Sequence, residues 1–263
     1  MRRHPRHGLD PLWAALGGLL LLFIALPLGL ILAGAPPASL WETLHDGEVL
    51  RSATVTLLAA ALATAVGLAL GVPLAYLLAR RAFRGRRWIE ALLGLPVIIP
   101  HTAAGVALLL TYGARGVLGA PLAAIGVALT DRLAGIVMAM VFVSVPLLVS
   151  SAREAIAAVS PDLEESAHVD GASSWQAFWR IVLPCARRGI ASGALLMWAR
   201  GISEFGAVVL LAYHPRTLAV LVYERFQGFG LTAAAPLAAL LILLALLVFV
   251  ALGALAAPDV DEA

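Results

Sequence analysis

Residues 165–184 read ESAHVDGASSWQAFWRIVLP, a polar, amphipathic segment set between two stretches apolar enough to cross a membrane. A loop that only joins two spans needs a handful of residues, so a segment of this size points to a surface built for contact. Ser160 followed by Pro161 reads as a helix start, an N-cap with proline at the first helical position. Asp162, Glu164 and Glu165 suit the positive end of that helix dipole. Gly171 is placed to end the helix. Ser173 and Gln176 form the capping box of a second helix running toward Pro184. On it, Trp175, Phe178, Trp179 and Val182 share one face at helical spacing. The spacing predicts a short helix, a glycine turn and an amphipathic helix near the membrane surface. By composition alone, an ordinary interfacial loop fits as well.

The chain around this segment is 62% hydrophobic and 13% charged over 263 residues, with a mean hydropathy of +0.96. Soluble domains run about 45–50% apolar and about 25% charged. A core of this size cannot hide that excess, so lipid is the solvent for much of the surface. All eighteen basic residues are Arg, and the chain has no Lys. A P-loop needs its Lys, so the chain is no ATPase, and Schiff-base or Ser–Lys chemistry is excluded on the same ground. The net charge of +2 does not suggest nucleic-acid binding. Cys185 is the one cysteine and cannot form an intrachain disulfide.

About 20 apolar residues cross a hydrocarbon core. Six segments qualify: 12–35, 52–79, 91–114, 133–152, 189–213 and 232–257. The expectation is an all-α polytopic protein with six transmembrane helices. Residues 1–11 form an N-terminal tail, 12–257 one membrane domain with a loop over 154–188, and 258–263 a C-terminal tail. Arginines decide the orientation. Arg2, Arg3, Arg6, the cluster Arg80, Arg81, Arg84, Arg86 and Arg87, and Arg153, Arg180, Arg187 and Arg188 fall on one side. Arg51, Arg115, Arg132, Arg216 and Arg225 fall on the other, twelve against five. Both termini, and the opening segment, are therefore expected in the cytoplasm. The Arg cluster at 80–87 reads most simply as an orientation anchor beside anionic headgroups.

The spacing within the opening segment resembles the cytoplasmic signature of ABC-importer permeases: Glu-Ala-Ala, three residues, Gly, nine residues, Ile, one residue, Leu or Pro. Glu165, Ser166 and Ala167 stand for the triplet, Gly171 for the glycine, and Ile181, Leu183 and Pro184 close it. Ser166 in place of Ala is the departure, and it remains small. The resemblance implies a type I importer permease of the MetI-like fold, in a prokaryotic inner membrane. It implies that Glu165, Ser166, Ala167, Gly171, Ala172 and Ser173 form the coupling loop that docks on the ATP-binding subunit. It implies as partners a second copy of the chain, an ATPase dimer that uses ATP-Mg, an extracytoplasmic oxyanion-binding protein and membrane lipid. The chain itself binds no cofactor in that reading, and is not an enzyme.

Two further stretches, LPVIIPHTAAGVALLL (95–110) and MWARGISEFGAVVLLAYHPRTLAVLVYERFQGFGL (197–231), resemble permeases for tungstate, molybdate and sulfate, the first two more than the third. Within them, Pro100, His101, Arg200, Ser203 and Glu204 are the candidates for an anion path or gate. Pro96 and Pro100 disrupt regular helical hydrogen bonding in their segment. Arg200 and Glu204 stand four apart, both expensive in lipid. They line the path, or they form an internal ion pair that locks helices or holds a gate shut. The second is favoured, because a carboxylate facing a passing oxyanion repels it. Ser203 suits direct contact, as its hydroxyl donates without a permanent charge. The small-xxx-small pairs GLALG (67–71) and GIASG (189–193) predict close helix packing, within the subunit or at a dimer seam. Neither HExxH nor GxSxG occurs. A sulfate permease is the alternative substrate reading; an intramembrane enzyme or a channel leaves the spacing over 165–184 unexplained.

Overall fold

Every regular element among the described residues is helical. The structure is a computed structural model that describes residues 11–256, with side chains described for 12–250. Residues 1–10 and 257–263, which hold Arg2, Arg3, Arg6, Asp259, Asp261 and Glu262, lie outside the described residues. In chain order the helices are α1 (Pro11–Ala33), α2 (Pro37–His45), α3 (Gly47–Arg80), α4 (Arg86–Ile98), α5 (His101–Tyr112), α6 (Gly119–Ala124), α7 (Leu133–Ala157), α8 (Pro161–Val169), α9 (Ser174–Ala177), α10 (Leu183–Ile202), α11 (Gly206–Leu211), α12 (Leu218–Phe229) and α13 (Leu231–Ala256). A π-helical turn, Phe178–Val182, joins α9 to α10.

Helix α7 is the centre, with α3 and α10 packed along it and α13 and α1 outside. In lipid no hydrophobic driving force favours association, so close contact of small residues has to supply it. The two small-xxx-small pairs do this inside the subunit. A Cβ on Gly67 would sit 2.4 Å from Met197 Sδ, and one on Gly71 3.1 Å from a Val149 methyl. On α10, a Cβ on Gly189 would sit 2.4 Å from Ala155 Cβ, and one on Gly193 2.8 Å from Ser151 Cβ. Ala59, Ala60 and Ala63 of α3 are fully buried beside Ile136, Met140 and Met197. On the side away from residues 165–184, α12 is tied to the start of α3. Arg216 Nη1 lies 2.5 Å from Glu48 Oε1, and Arg225 Nη2 lies 2.5 Å from Asp46 Oδ2. Asp46 also caps α3, accepting from the Glu48 N–H at 2.8 Å. These two contacts hold its carboxyl below the usual carboxylate range.

Of the six expected spans, four or five are recovered among the described residues by length and composition. Four helices of the described residues are long and apolar enough to cross a membrane: Leu12–Ala33, Gly47–Arg80, Leu133–Ala157 and Leu231–Val250. The expected span 91–114 is instead two helices, α4 and α5, meeting at 115°, and it adds a fifth crossing only if the pair counts as one. The break is at Pro100. Proline offers no N–H and pushes the preceding residue out of the helical region, and Ile99 is extended at φ −70°, ψ 146°. Helices of 13 and 12 residues are each about 20 Å long or less, short of a core about 30 Å thick. Pro96 leaves α4 unbroken. The expected span 189–213 also divides, into α10 and α11 with Ser203–Phe205 between them. α10 is 20 residues long but carries Arg187, Arg188 and Arg200.

Candidate functional site

The segment 160–184 folds largely as its residues dictate. Ser160 accepts from the Asp162 N–H at 3.4 Å and opens α8. Gly171 has φ +86°, the left-handed turn that a β-carbon hinders. The Ala172 N–H then returns to the Ala167 carbonyl at 2.8 Å, closing the helix. The capping box forms in both directions: the Gln176 N–H donates to Ser173 Oγ at 3.3 Å, and the Ser173 N–H to Gln176 Oε1 at 2.8 Å. Glu165, Ser166, Gly171 and Ser173 are exposed, with Ala167 and Ala172 half-buried, so this set presents an open face of small and acidic groups.

The second helix does not stop at Pro184: α9 runs through the π-turn into α10 as one path. Pro184 lacks the N–H that would bond back to Arg180, and just before it the Leu183 N–H bonds to the Phe178 carbonyl in the π pattern. Consequently the four apolar residues do not share one environment. Phe178 and Val182 are buried, whereas Trp175 and Trp179 are exposed and cluster with Phe178 at ring distances of 5.5–6.3 Å.

Sequence reasoning missed Glu164, which is the buried residue of α8. Its Oε2 accepts from Tyr76 OH at 2.8 Å, and its Oε1 lies 2.5 Å from Arg80 Nε in an ionic contact outside hydrogen-bond geometry. Arg80 Nη2 also donates to the Val159 carbonyl at 2.9 Å. Arg80 is therefore committed to protein partners rather than to headgroups. Arg86 is similarly engaged with Glu90 at 3.0 Å, and Arg153 meets the same oxygen at 2.8 Å. Tyr76 and Arg80 stand four residues apart on one face of α3, but nothing in the sequence pairs them with Glu164.

The second cluster brings together the candidates from the two broken segments. Pro100 is the N-cap residue of α5, and His101 its first residue. Arg200 lies in the last turn of α10, and Ser203 and Glu204 occupy the break before α11. Arg200 Nη2 donates to Glu204 Oε2 at 2.9 Å and to His101 Nε2 at 2.8 Å. The same Nη2 lies 3.3 Å from His101 Nδ1, and that nitrogen stands 3.6 Å from Glu204 Oε2. Glu204 Oε1 accepts from the Ala207 N–H at 2.8 Å, so the carboxylate also starts α11. Ser203 Oγ donates to the Arg200 carbonyl at 3.0 Å and receives Arg200 Nη1 at 3.2 Å. The Glu204 side chain is 1% exposed, against 39% for His101 and 27% for Arg200. The cluster thus presents a partly neutralised Arg, an imidazole edge and a hydroxyl, with the carboxylate behind them. Gly206 makes it possible: a Cβ there would lie 2.8 Å from His101 Cβ.

Residues 67–259 match the family model described as binding-protein-dependent transport system inner membrane component. The chain is 40% identical over 243 residues to the molybdate/tungstate transport system permease protein of Thermococcus kodakarensis, covering 92% of this chain and 93% of that one. It is 31% identical over 241 residues to the sulfate transport system permease protein of Escherichia coli, covering 89% and 87%. Among solved structures it is similar to a bacterial alginate ABC transporter in complex with alginate pentasaccharide-bound periplasmic protein, with a TM-score of 0.68 at 20% identity over 92% of each chain. It is also similar to the MetNI methionine ABC transporter in an inward-facing conformation, with a TM-score of 0.62 at 19% identity over 79% of this chain and 94% of that one. At that identity, the two structures speak for the fold alone.

Proposed function

The chain belongs to the family of binding-protein-dependent transport system inner membrane components, and from that premise we propose that it carries molybdate and tungstate across the inner membrane. It is a non-catalytic, multi-pass permease subunit of an ABC importer, working with an ATPase and a substrate-binding protein. The observation that carries the substrate class is 40% identity over 92% of the chain to a molybdate/tungstate permease. The weaker likeness to a sulfate permease, 31% identical, supports sulfate as the second reading.

Two copies of the chain pair in the membrane, termini in the cytoplasm, and each offers one coupling loop to a groove of the ATPase dimer. Glu165 supplies a charged contact there. Ser166, Ala167, Ala172 and Ser173 allow close approach, and Gly171 sets the turn between them. ATP binding draws the two loops together and turns the spans outward to receive the anion; hydrolysis reverses the motion. At the other cluster, Glu204 and His101 clasp Arg200, and the group acts as a gate. Ser203, exposed at the break, offers its hydroxyl to the passing oxyanion. Competition tests the substrate: uptake of labelled tungstate by the reconstituted importer should fall with added molybdate and persist in excess sulfate. Equal competition by sulfate would favour the second reading.

A further inference from the structure

The coupling loop has an inner face as well as an outer one. α8 has little apolar purchase on the membrane domain: Leu163 is 48% exposed and Val169 88%. What attaches it is polar. Glu164 is held by Tyr76 OH at 2.8 Å and by Arg80 Nε at 2.5 Å, both on the last turns of α3. Arg80 Nη2 adds the Val159 carbonyl at 2.9 Å, in the connection that leads from α7 into α8. Phe178 of the π-turn packs edge-on to the Tyr76 ring at 5.0 Å. The side chains of Arg80 and Glu164 are 12% and 11% exposed, so solvent screens the pair little.

We propose that Glu164 is the positioning residue through which displacement of α8 is passed to α3. The inference rests on the coupling-loop reading above and adds the inward connection to it. Apolar side chains slide over one another with little change in energy, whereas an ion pair supported by hydrogen bonds fixes distance and direction. A rigid two-ended link makes α8 and the cytoplasmic end of α3 move as one body. Since α3 packs along α7 and α10, it hands the motion to the helix whose last turn holds Arg200. With the link cut, the ATPase still docks on Glu165 and its neighbours, yet α8 tilts without moving α3.

The test is Glu164→Gln in the complete importer in liposomes, read as anion taken up per ATP hydrolysed. Hydrolysis should persist while this ratio falls by roughly 10-fold, within the ~5–150-fold range typical of coupling between sites. The charge exchange Arg80→Glu with Glu164→Arg should restore part of the ratio. Tyr76→Phe, which keeps the ion pair, should lower it less. A merely structural role would reduce assembled protein and transport together, leaving the ratio as in the unmodified chain, and that result would overturn the proposal. So would an unchanged ratio in Tyr76→Phe if Glu164→Gln does not assemble. Absence of ATP-dependent uptake by the unmodified importer would instead overturn the functional reading, and the link as a coupling device with it.

Discussion

Arg200 and Glu204 meet across the end of α10, with Nη2 and Oε2 2.9 Å apart, although the helix that would normally hold such an i,i+4 pair stops at Ile202. The pair is therefore part of the break. Glu204 faces back to Arg200 and forward to the Ala207 N–H, and His101 reaches in from the other broken segment. Two discontinuities in the backbone thus meet at one buried carboxylate.

Glu204→Gln keeps the shape and the bond to Ala207 but removes the charge. It should change the rate of ATP-driven uptake while leaving the tungstate-to-sulfate competition ratio as it was. Arg200→Ala takes the cation from a buried carboxylate and leaves it only the Ala207 N–H and His101, which should cost about 3–5 kcal/mol. Thermal unfolding of the purified chain measures the second effect; an unaltered rate with shifted selectivity in the first would contradict a gating role.

Gly206→Ala should push α11 away from α5, because the new Cβ meets His101 Cβ at 2.8 Å and backbone at 3.2 Å. Overpacking of this kind costs roughly 1–3 kcal/mol. The purified variant should unfold at lower temperature and transport poorly even at permissive temperature, since His101 is displaced from Arg200.

Gly189→Ala puts a methyl group 2.4 Å from Ala155 Cβ, between α10 and α7. Destabilisation of about 1–3 kcal/mol is expected. Ala155→Gly in the same chain should recover most of it, because it removes the atom that clashes. Two additive losses in the double variant would mean that the small-residue seam is not the contact seen here.

Gly171→Asp meets open space but must adopt φ near +86°. A strained residue of this sort costs about 1–3 kcal/mol, local to an exposed turn. The variant should assemble in the membrane yet hydrolyse ATP without matching uptake. Uptake per ATP equal to that of the unmodified chain would remove Gly171 from the coupling loop.

Asp46→Ala should lower stability at neutral pH by about 1 kcal/mol through loss of the α3 cap, along with its contact to Arg225. The Asp46 carboxyl titrates below its ordinary value of 3.8. Its contribution is therefore complete above that pH and disappears as pH falls through the folded-state value. The gap between variant and parent should close in acid; a gap independent of pH would rule the carboxylate out as its source.

The all-helical class, the cap at Ser160, the turn at Gly171 and the capping box were legible because each is written in residues a few positions apart. The bend was partly legible. Pro96 and Pro100 both disrupt helical bonding, but only Pro100 ends a helix, and Pro73 and Pro146 sit inside α3 and α7. Hydropathy counts composition rather than continuity, so the break at Ser203–Phe205 passed as one apolar span. Glu164 was unreadable for another reason: its partner Tyr76 is 88 residues away, and nothing local separates it from the exposed Glu165. Convergence of His101 with Arg200, 99 residues apart, was hidden in the same way.

The most direct measurement is tungstate uptake into liposomes holding the complete importer, with Mg-ATP inside and binding protein outside, and each component omitted in turn. Accumulation that needs the permease, the ATPase, the binding protein and ATP together is the predicted result. Accumulation without ATP, or without the ATPase, would show a channel rather than a driven permease and would contradict the account.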